Sequence, residues 1–509
     1  MDSPESRSWH FPRVLLDRVY DRSGAGVSSP GDPTGKEKPM KMTKTHPGPR
    51  IRHGQRLVPI CTLVLALSLA AAAFAGPRPQ AAGNPAPQVL DRSMRARIID
   101  WIVSELKEIY VFPDVAAKCE AIVREKLVAG EYDAESDPPA FARRLTADLR
   151  EVAHDKHLAV RHAPESSLRE EPKDEAEKKR RLEILLFDWR LDNFLFKKVE
   201  HLEGNVGYLR FDRFVDARYA GDTAVAAMNF LGNCDALIVD LRYNGGGNGT
   251  MVKLLLGYFF EDETNVCDLE SRKDGKTYQS WTSAYVPGPR LDKAEVYVLT
   301  SRRTFSAAEG FAYDLQSLKR ATIVGETTGG GGHTVSHRRN EELKIEFSVP
   351  NARAVNPVTK TNWEGKGVAP DVSCPAEQAL DKAYALALKA LHAKTPETGN
   401  KKAWLKGLLD YQEGLSNPRP ISTSEMEAYA GEYGPARVLV EGGRLYVIEA
   451  NGSKSRLIFL GGDAFLIEGN KTMKIVFERN AAGEVTAVIP LEFDGTKGSR
   501  VPKGRRPNG

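Results

Sequence analysis

From Val206 to Val349 the chain alternates short apolar runs with stretches of helical periodicity, and this alternation constrains its fold more than any other feature. Val206-Gly-Tyr-Leu-Arg-Phe211 reads as a strand, Ala220 to Leu231 as a helix, Ala236-Leu-Ile-Val-Asp-Leu241 as a strand buried on both faces, and Met251 to Phe260 as a helix. A strand at Ala294 to Thr300, a helix opening at Ser306, and strands at Ala321 to Gly325 and Leu343 to Val349 continue the series. Helical crossovers return strands parallel to one another and cover both faces of the sheet they make. The expected fold class is therefore α/β, with a largely parallel, two-sided sheet in a domain spanning 206–395.

The flanks follow other patterns. Met94 to Tyr110 places Ile98, Ile99, Ile102, Val103, Leu106 and Ile109 at helical intervals, and helices are also expected at Asp114 to Ala129 and Pro139 to Val152. Together they make an N-terminal helical bundle over 89–163. Residues 164–205 hold a mixed-sign charge run and a connecting segment, read as a solvated helix or linker. A helix from Pro375 to Thr395 closes the central domain, 396–422 reads as a linker around Asn417-Pro-Arg-Pro420, and 423–500 reads as a small antiparallel β domain with turns at Glu441-Gly-Gly443, Gly461-Gly462 and Ala482-Gly483, followed by a tail at 501–509.

Charge is split unevenly. Residues 1–75 carry eleven Lys or Arg against six Asp or Glu, which leaves the rest of the chain near −1 of the formal total of +4. A folded part with no basic excess gives no support for a nucleic-acid or anionic-membrane partner. The leader charge precedes the apolar run Leu57 to Ala75, which ends in Ala73-Phe-Ala75 before Gly76-Pro77, the order of a secretory signal. The expectation is a signal peptide over 40–75, residues 1–39 as an extension outside the translated or ordered protein, a Pro- and Ala-rich linker at 76–88, and an exported product, periplasmic or extracellular. An uncleaved anchor is the competing reading and the one route to membrane association. Cys61 falls in the leader, and Cys119, Cys234, Cys267 and Cys374 are too widely spaced for a zinc motif. One or two disulfides are compatible with export.

The residues with chemical potential cluster around Val296 to Leu318. Ser306 stands at the first turn of a helix, where unpaired N–H groups and the positive end of the helix dipole suit a developing negative charge. It is the candidate nucleophile, with the Ala307 N–H as one oxyanion donor. Ser306 and Glu309 also match a capping box, a purely structural device. Strand 236–241 runs into Tyr243-Asn-Gly-Gly-Gly-Asn-Gly249 at the carboxyl end of a parallel strand, where α/β proteins place their sites, so Gly246 or a neighbour is a second candidate donor. A phosphate loop would need a Gly-Lys-Ser/Thr ending, absent here and at Gly329 to His333. Seven histidines follow the leader. His154 and His157 leave the helical segment together, whereas His333 and His337 lie four apart in a strand-like context, which does not place them on one helix face as metal ligands. Glu364, beside Trp363 in a Gly-flanked loop, is a candidate orienting carboxylate, against the plain reading of a loop glutamate. No cofactor or metal is called for.

Taken together these segments resemble the tail-specific (C-terminal processing) serine protease family. Asp155-Lys-His-Leu158, Asp240-Leu-Arg-Tyr-Asn-Gly-Gly-Gly247, Thr300-Ser-Arg-Arg-Thr-Phe-Ser-Ala-Ala-Glu309 with Val324-Gly-Glu-Thr-Thr-Gly329, and Gly365-Lys-Gly-Val-Ala-Pro-Asp371 match in order, over about Met94 to Leu391. The helical segment before His157 and the lack of room for a PDZ domain between His157 and Val206 look most like the branch of interphotoreceptor retinoid-binding protein and its bacterial relatives. The resemblance implies a ClpP/crotonase-like core and a peptide or unfolded-protein substrate docking as an added strand. Of the family's two catalytic solutions, the Ser-Lys dyad is unavailable, because Gly331 stands where its lysine would be. The tricorn-core solution has counterparts for all three members in Ser306, His157 and Glu364. One departure is Lys156, where tricorn has a serine before its histidine. The implied activity is hydrolysis of peptide bonds by an exported serine peptidase, and the alternative on the same scaffold is a non-catalytic carrier of a retinoid or other apolar ligand.

Overall fold

A computed structural model describes residues 90–163 and 174–504. The expected leader, linker and extension lie outside the described residues. Helix α1 (Arg92–Ile109) is capped by Asp91, whose carboxylate accepts from the Met94 amide at 2.7 Å, and it buries all six of the expected apolar positions. Helices α2 (Pro113–Val128) and α3 (Pro138–Ala153) each carry proline in the first turn, where the missing N–H costs nothing. His154 ends α3 in the left-handed conformation, with φ 52°, and swings the chain into strand β1 (Ala159–His162). The three helices do not stand as a separate bundle. Their apolar faces share a core with Leu158 and Val160 and with Leu343, Ile345, Phe347 and Val349 from a strand two hundred residues later.

The charge run continues into α4 (Glu175–Leu191), which has no fully buried residue, in agreement with a solvated helix. Then come β2 (Phe196–Leu202), β3 (Val206–Phe211), α5 (Ala217–Leu231), β4 (Ala236–Asp240), α6 (Gly249–Leu256), β5 (Asn265–Ser271), β6 (Thr277–Trp281), β7 (Glu295–Thr300), α7 (Ala307–Ser317), β8 (Thr322–Gly325), β9 (His333–Asn340), β10 (Ile345–Val355) and β11 (Val372–Ser373). A six-stranded sheet runs β11-β8-β7-β4-β3-β2, parallel throughout except for β2, the antiparallel edge. Every residue of β4 is buried, as a strand covered on both faces requires. On one face Leu237 and Val239 pack with α5, α6 and α7, and on the other Ala236 and Ile238 pack with α8 (Ala379–Lys394).

Two parts of the fold depart from the sequence reading. The strand expected at 343–349 belongs to a second sheet, wholly antiparallel, in which β10 pairs with β1, β9 and β5, and β5 pairs with β6. It carries the N-terminal helices on one face and brings the loop after α3 to the start of α7. The segment read as a linker at 396–422 holds α9 (Lys401–Ser416), which buries Leu405, Leu408, Leu409 and Tyr411. Helix α9 cements the C-terminal sheet to the core, since Ile458, Leu466 and Phe493 join the same hydrophobic cluster as α8 and β4.

Beyond α9, α10 (Thr423–Tyr429) leads into an eight-stranded antiparallel meander: β12 (Gly431–Tyr433), β13 (Ala436–Glu441), β14 (Arg444–Ile448), β15 (Lys454–Gly461), β16 (Ala464–Ile467), β17 (Met473–Arg479), β18 (Val485–Glu492) and β19 (Val501–Pro502). The chain is thus a mixed α/β protein with a C-terminal antiparallel sheet. Cys119, Cys234, Cys267 and Cys374 are all free thiols. None of the described helices is long and apolar enough to cross a membrane.

Candidate active site

Ser306 joins β7 to α7 with φ 55° and ψ −122°, a backbone conformation that costs a non-glycine residue about 1–3 kcal/mol and persists only where the surroundings enforce it. They do so here from both sides. Thr304 donates its hydroxyl to the Leu241 carbonyl at 2.8 Å, and the Phe305 amide donates to the Asn244 carbonyl at 3.1 Å, which ties the turn to the glycine loop after β4. On the helix side the Ser306 amide donates to Glu309 at 2.7 Å.

That last contact has a larger role than a capping box. Glu309 is fully buried, and besides Ser306 its carboxylate accepts from the amides of Gly330 at 2.6 Å and Gly331 at 2.9 Å and from the Thr328 hydroxyl. Burial pushes its carboxyl above the ordinary range even with four donors pulling the other way. Glu309 therefore fastens the glycine-rich loop after β8 to the turn that holds Ser306.

The expected oxyanion donors fare differently. The Ala307 N–H has no acceptor among the described residues. The Gly246 N–H, expected as the second donor, is already given to the Asn244 side chain at 2.9 Å. The Gly247 N–H has no acceptor among the described residues, and Gly247 lines the same cavity as Ser306 and Ala307. Gly246 serves by having no side chain: a Cβ there would lie 2.7 Å from the Phe305 carbonyl oxygen and 2.9 Å from Ser306 Cβ. The cavity, about 220 Å³, is walled by Val252, Val266, Leu269 and Trp363, with Asp314 also lining it.

His157 and Glu364 come together across the sheet boundary. The imidazole packs on the ring of Phe305, the residue before Ser306, centroids 4.8 Å apart. Its Nδ1 lies 4.0 Å from Glu364 Oε2, too far for a hydrogen bond, and both Nδ1 and Glu364 Oε1 are buried without partners. Burial depresses the imidazole to about 4, so the ring is a neutral base at pH 7. Burial, reinforced by the nearby Asp155 charge, raises Glu364 to about 7. Gly331 is where these pieces touch: a Cβ on it would sit 2.3 Å from Phe305 Cζ and 2.6 Å from His157 Cε1, so the two rings leave no room for a lysine side chain.

Sequence reasoning passed over two residues of this cluster. Asp155 Oδ1 accepts from the His157 amide at 2.9 Å, and its Oδ2 lies 2.7 Å from His333 Nδ1. His333, dismissed as a metal ligand, is almost fully buried, and its Nδ1 is also 3.4 Å from Glu364 Oε2. The signal available was Asp155 two residues before His157, an arrangement that forms a side-chain to backbone turn. Asp155, His333 and Glu364 hold nitrogen and oxygen donors within 4.8 Å of one another, but these are engaged with one another and with the Gly332 amide, which makes the group a hydrogen-bonded cluster. Lys156, the departure noted in the sequence, turns its ammonium onto the Gly329 carbonyl.

Comparison with known proteins follows the same division of the chain. Residues 205–374 match Peptidase family S41, and residues 88–185 match the N-terminal domain of Peptidase_S41 in eukaryotic IRBP. A tail-specific protease of Haemophilus influenzae is 31% identical over 153 residues, 28% of this chain and 20% of that protein. A probable CtpA-like serine protease of Staphylococcus epidermidis is 25% identical over 225 residues, 41% of this chain and 43% of that one. Among solved structures, the photosystem II D1 C-terminal processing protease aligns with a TM-score of 0.29 at 25% identity, covering 34% of this chain and 43% of its own. The alignments span less than half the length of these relatives. One match takes in the helices that deliver His157 and the other the parallel sheet and the loops that deliver Ser306 and Glu364, so the chain carries a peptidase family S41 domain together with the N-terminal domain that accompanies it.

Proposed function

We propose that this protein is an exported serine peptidase in which His157 deprotonates Ser306, Ser306 attacks a peptide carbonyl, and Glu364 orients the imidazole and balances the charge it acquires. The N–H groups of Ala307 and Gly247 would hold the oxyanion. The observation that carries this reading is the strained Ser306 turn, facing a cavity lined by Gly247 and Ala307, whose N–H groups have no acceptor among the described residues, with a neutral buried imidazole packed on the neighbouring Phe305. The 4.0 Å gap between His157 and Glu364 fits a resting state that tightens when substrate displaces water. The two-sided parallel sheet with Ser306 at a strand-to-helix turn is consistent with a ClpP/crotonase-like core.

The substrate class would be peptide or unfolded protein, a reading supported by the similarity to proteases. The basic and apolar leader in the sequence supports export to the periplasm or medium. A carrier of apolar ligands is not favoured, because the family matches are to peptidases. The test is Ser306→Ala against a panel of unfolded proteins and peptides, together with labelling by a serine-reactive phosphonate. Loss of both hydrolysis and labelling is expected. Undiminished hydrolysis by the variant removes Ser306 from the role.

A further inference from the structure

The groups near the nucleophile form a closed circuit of which the proposed mechanism uses only half. Asp155 Oδ1 takes the His157 amide at 2.9 Å and so fixes the main chain beneath that ring. Its other oxygen is 2.7 Å from His333 Nδ1 and 3.3 Å from the Tyr110 hydroxyl. The same His333 nitrogen lies 3.4 Å from Glu364 Oε2, and that oxygen lies 4.0 Å from His157 Nδ1. Facing two carboxylate oxygens, Nδ1 must carry the proton, which sets the tautomer of His333. Phe112 holds the ring edge-on, centroids 5.4 Å apart, and the side chains of His333 and Asp155 are only 4% and 1% exposed.

We propose that Asp155 and His333 form a positioning pair that holds the Glu364 carboxylate in front of His157, with Asp155 fixing the His333 ring and the His333 Nδ1–H facing the carboxylate. Glu364 needs such support. It sits in a loop, and its firm contact apart from His333 is the amide of Gly332, the residue just before β9. One of its oxygens has no partner. The residue before His157 cannot take this part, because Lys156 is turned away to the Gly329 carbonyl. Strand β9 begins at His333 and is bound along β10, so the support rests on a rigid element while the acid it supports does not.

The charged and titratable groups around Glu364 come from every neighbouring element: Asp155 and His157 after α3, His333 on β9, Glu309 on α7 and Tyr110 at the end of α1. Burial, Asp155 and Glu309 raise the carboxyl, and His333 and the Gly332 amide lower it. Removing His333 leaves the raising influences in place and takes away one of two that keep the acid ionised.

This inference rests on the peptidase reading, and its test separates the two. His333→Leu removes the N–H, whereas His333→Asn returns an amide N–H near the place of Nδ1. With a fluorogenic peptide, His333→Leu is expected to lower kcat about a hundredfold, as for a catalytic group displaced by about 1 Å, with KM within twofold. The acid limb of the pH profile should move to higher pH, and His333→Asn should recover at least tenfold of the lost kcat. Independently of turnover, the ring resonances of His157 in the intact protein should report Glu364 ionising near pH 7 in the wild type and at higher pH in His333→Leu. If no peptide is cleaved but the His157 resonances still show this displacement, the peptidase reading fails and the positioning pair stands. An acid limb and resonances that stay in place, whatever happens to kcat, overturn the pair.

Discussion

Gly331→Ala puts one methyl group where three parts of the site meet, and the structure says how far they must move. The new carbon would lie 2.3 and 2.6 Å from Phe305 Cζ and Cε2 and 2.6 Å from His157 Cε1, so each ring has to retreat by about 1 Å to reach ordinary contact. The backbone cannot yield instead. The Gly331 amide is held by Glu309 at 2.9 Å, and its carbonyl accepts from the Trp363 indole at 2.8 Å. Nor does the alanine meet a forbidden backbone angle, since Gly331 is not among the glycines with positive φ.

Overpacking of this size costs about 1–3 kcal/mol of stability. Moving the imidazole by about 1 Å should cost about a hundredfold in kcat, or ~2.7 kcal/mol on the barrier. The assay is kcat and KM on a fluorogenic peptide, with urea denaturation in parallel and Gly221→Ala as a control, whose Cβ meets nothing closer than 3.8 Å. Phe305→Leu in the Gly331→Ala background removes the distal ring atoms that collide, and it should regain part of the loss, a coupling visible in the double-mutant cycle. A folded Gly331→Ala variant within twofold of wild-type kcat would mean that His157 does not act from this position, and the reasoning would fall.

The pH profile gives a second prediction. His157 is neutral above about 4 and Glu364 ionises near 7, so kcat/KM should rise with pH about a midpoint near 7, and Glu364→Gln should flatten that limb; a midpoint near 4 would show the acid is not needed. Glu309→Gln puts an amide N–H against at least one backbone N–H that now meets an oxygen, and urea titration should show a loss of about 1–3 kcal/mol. Asp314, fully buried beside Asn356, is raised from 3.8 to about 8, so the folded state keeps a proton the unfolded chain has lost. Stability should accordingly fall as pH rises from about 4 to about 8, and Asp314→Asn, which can still accept from Asn356, should flatten that decline in denaturation midpoints taken across the range.

The parts of the fold that were legible in the sequence are those whose cause is local. Strand Ala236 to Asp240 reads correctly because burial on both faces forces an unbroken apolar run, and α1 reads correctly because one face repeats every three or four residues. Helix α9 was legible too. Trp404, Leu405, Leu408, Leu409 and Tyr411 keep helical spacing, but the prolines at 418 and 420 drew the whole segment into a linker. Strands β5 and β6 left no comparable mark, since they are mostly half-buried or exposed and lack clean alternation.

The same division explains the site. Ser306, His157 and Glu364 could be named as candidates because each sits in a run whose neighbours are distinctive, but which amide is free and which histidine is engaged depend on register between distant segments. Gly246 and Gly247 are indistinguishable as letters, and only the Asn244 side chain, reaching back two residues, decides that the first is occupied and the second open. His333 reads as one of two histidines four apart in a strand-like stretch after four glycines, with nothing to tie it to the site. It becomes part of the site because β9 pairs with β10 while β10 also pairs with β1, which sets His333 against the turn that leaves α3. A contact between residues 178 positions apart is fixed by strand pairing, and the pairing is fixed by the core that α1, α2 and α3 make with Ile345, Phe347 and Val349. The N-terminal helices therefore act on the chemistry at one remove: loosening their packing on β10 should release Asp155 from His333 before it unfolds the parallel sheet that carries Ser306.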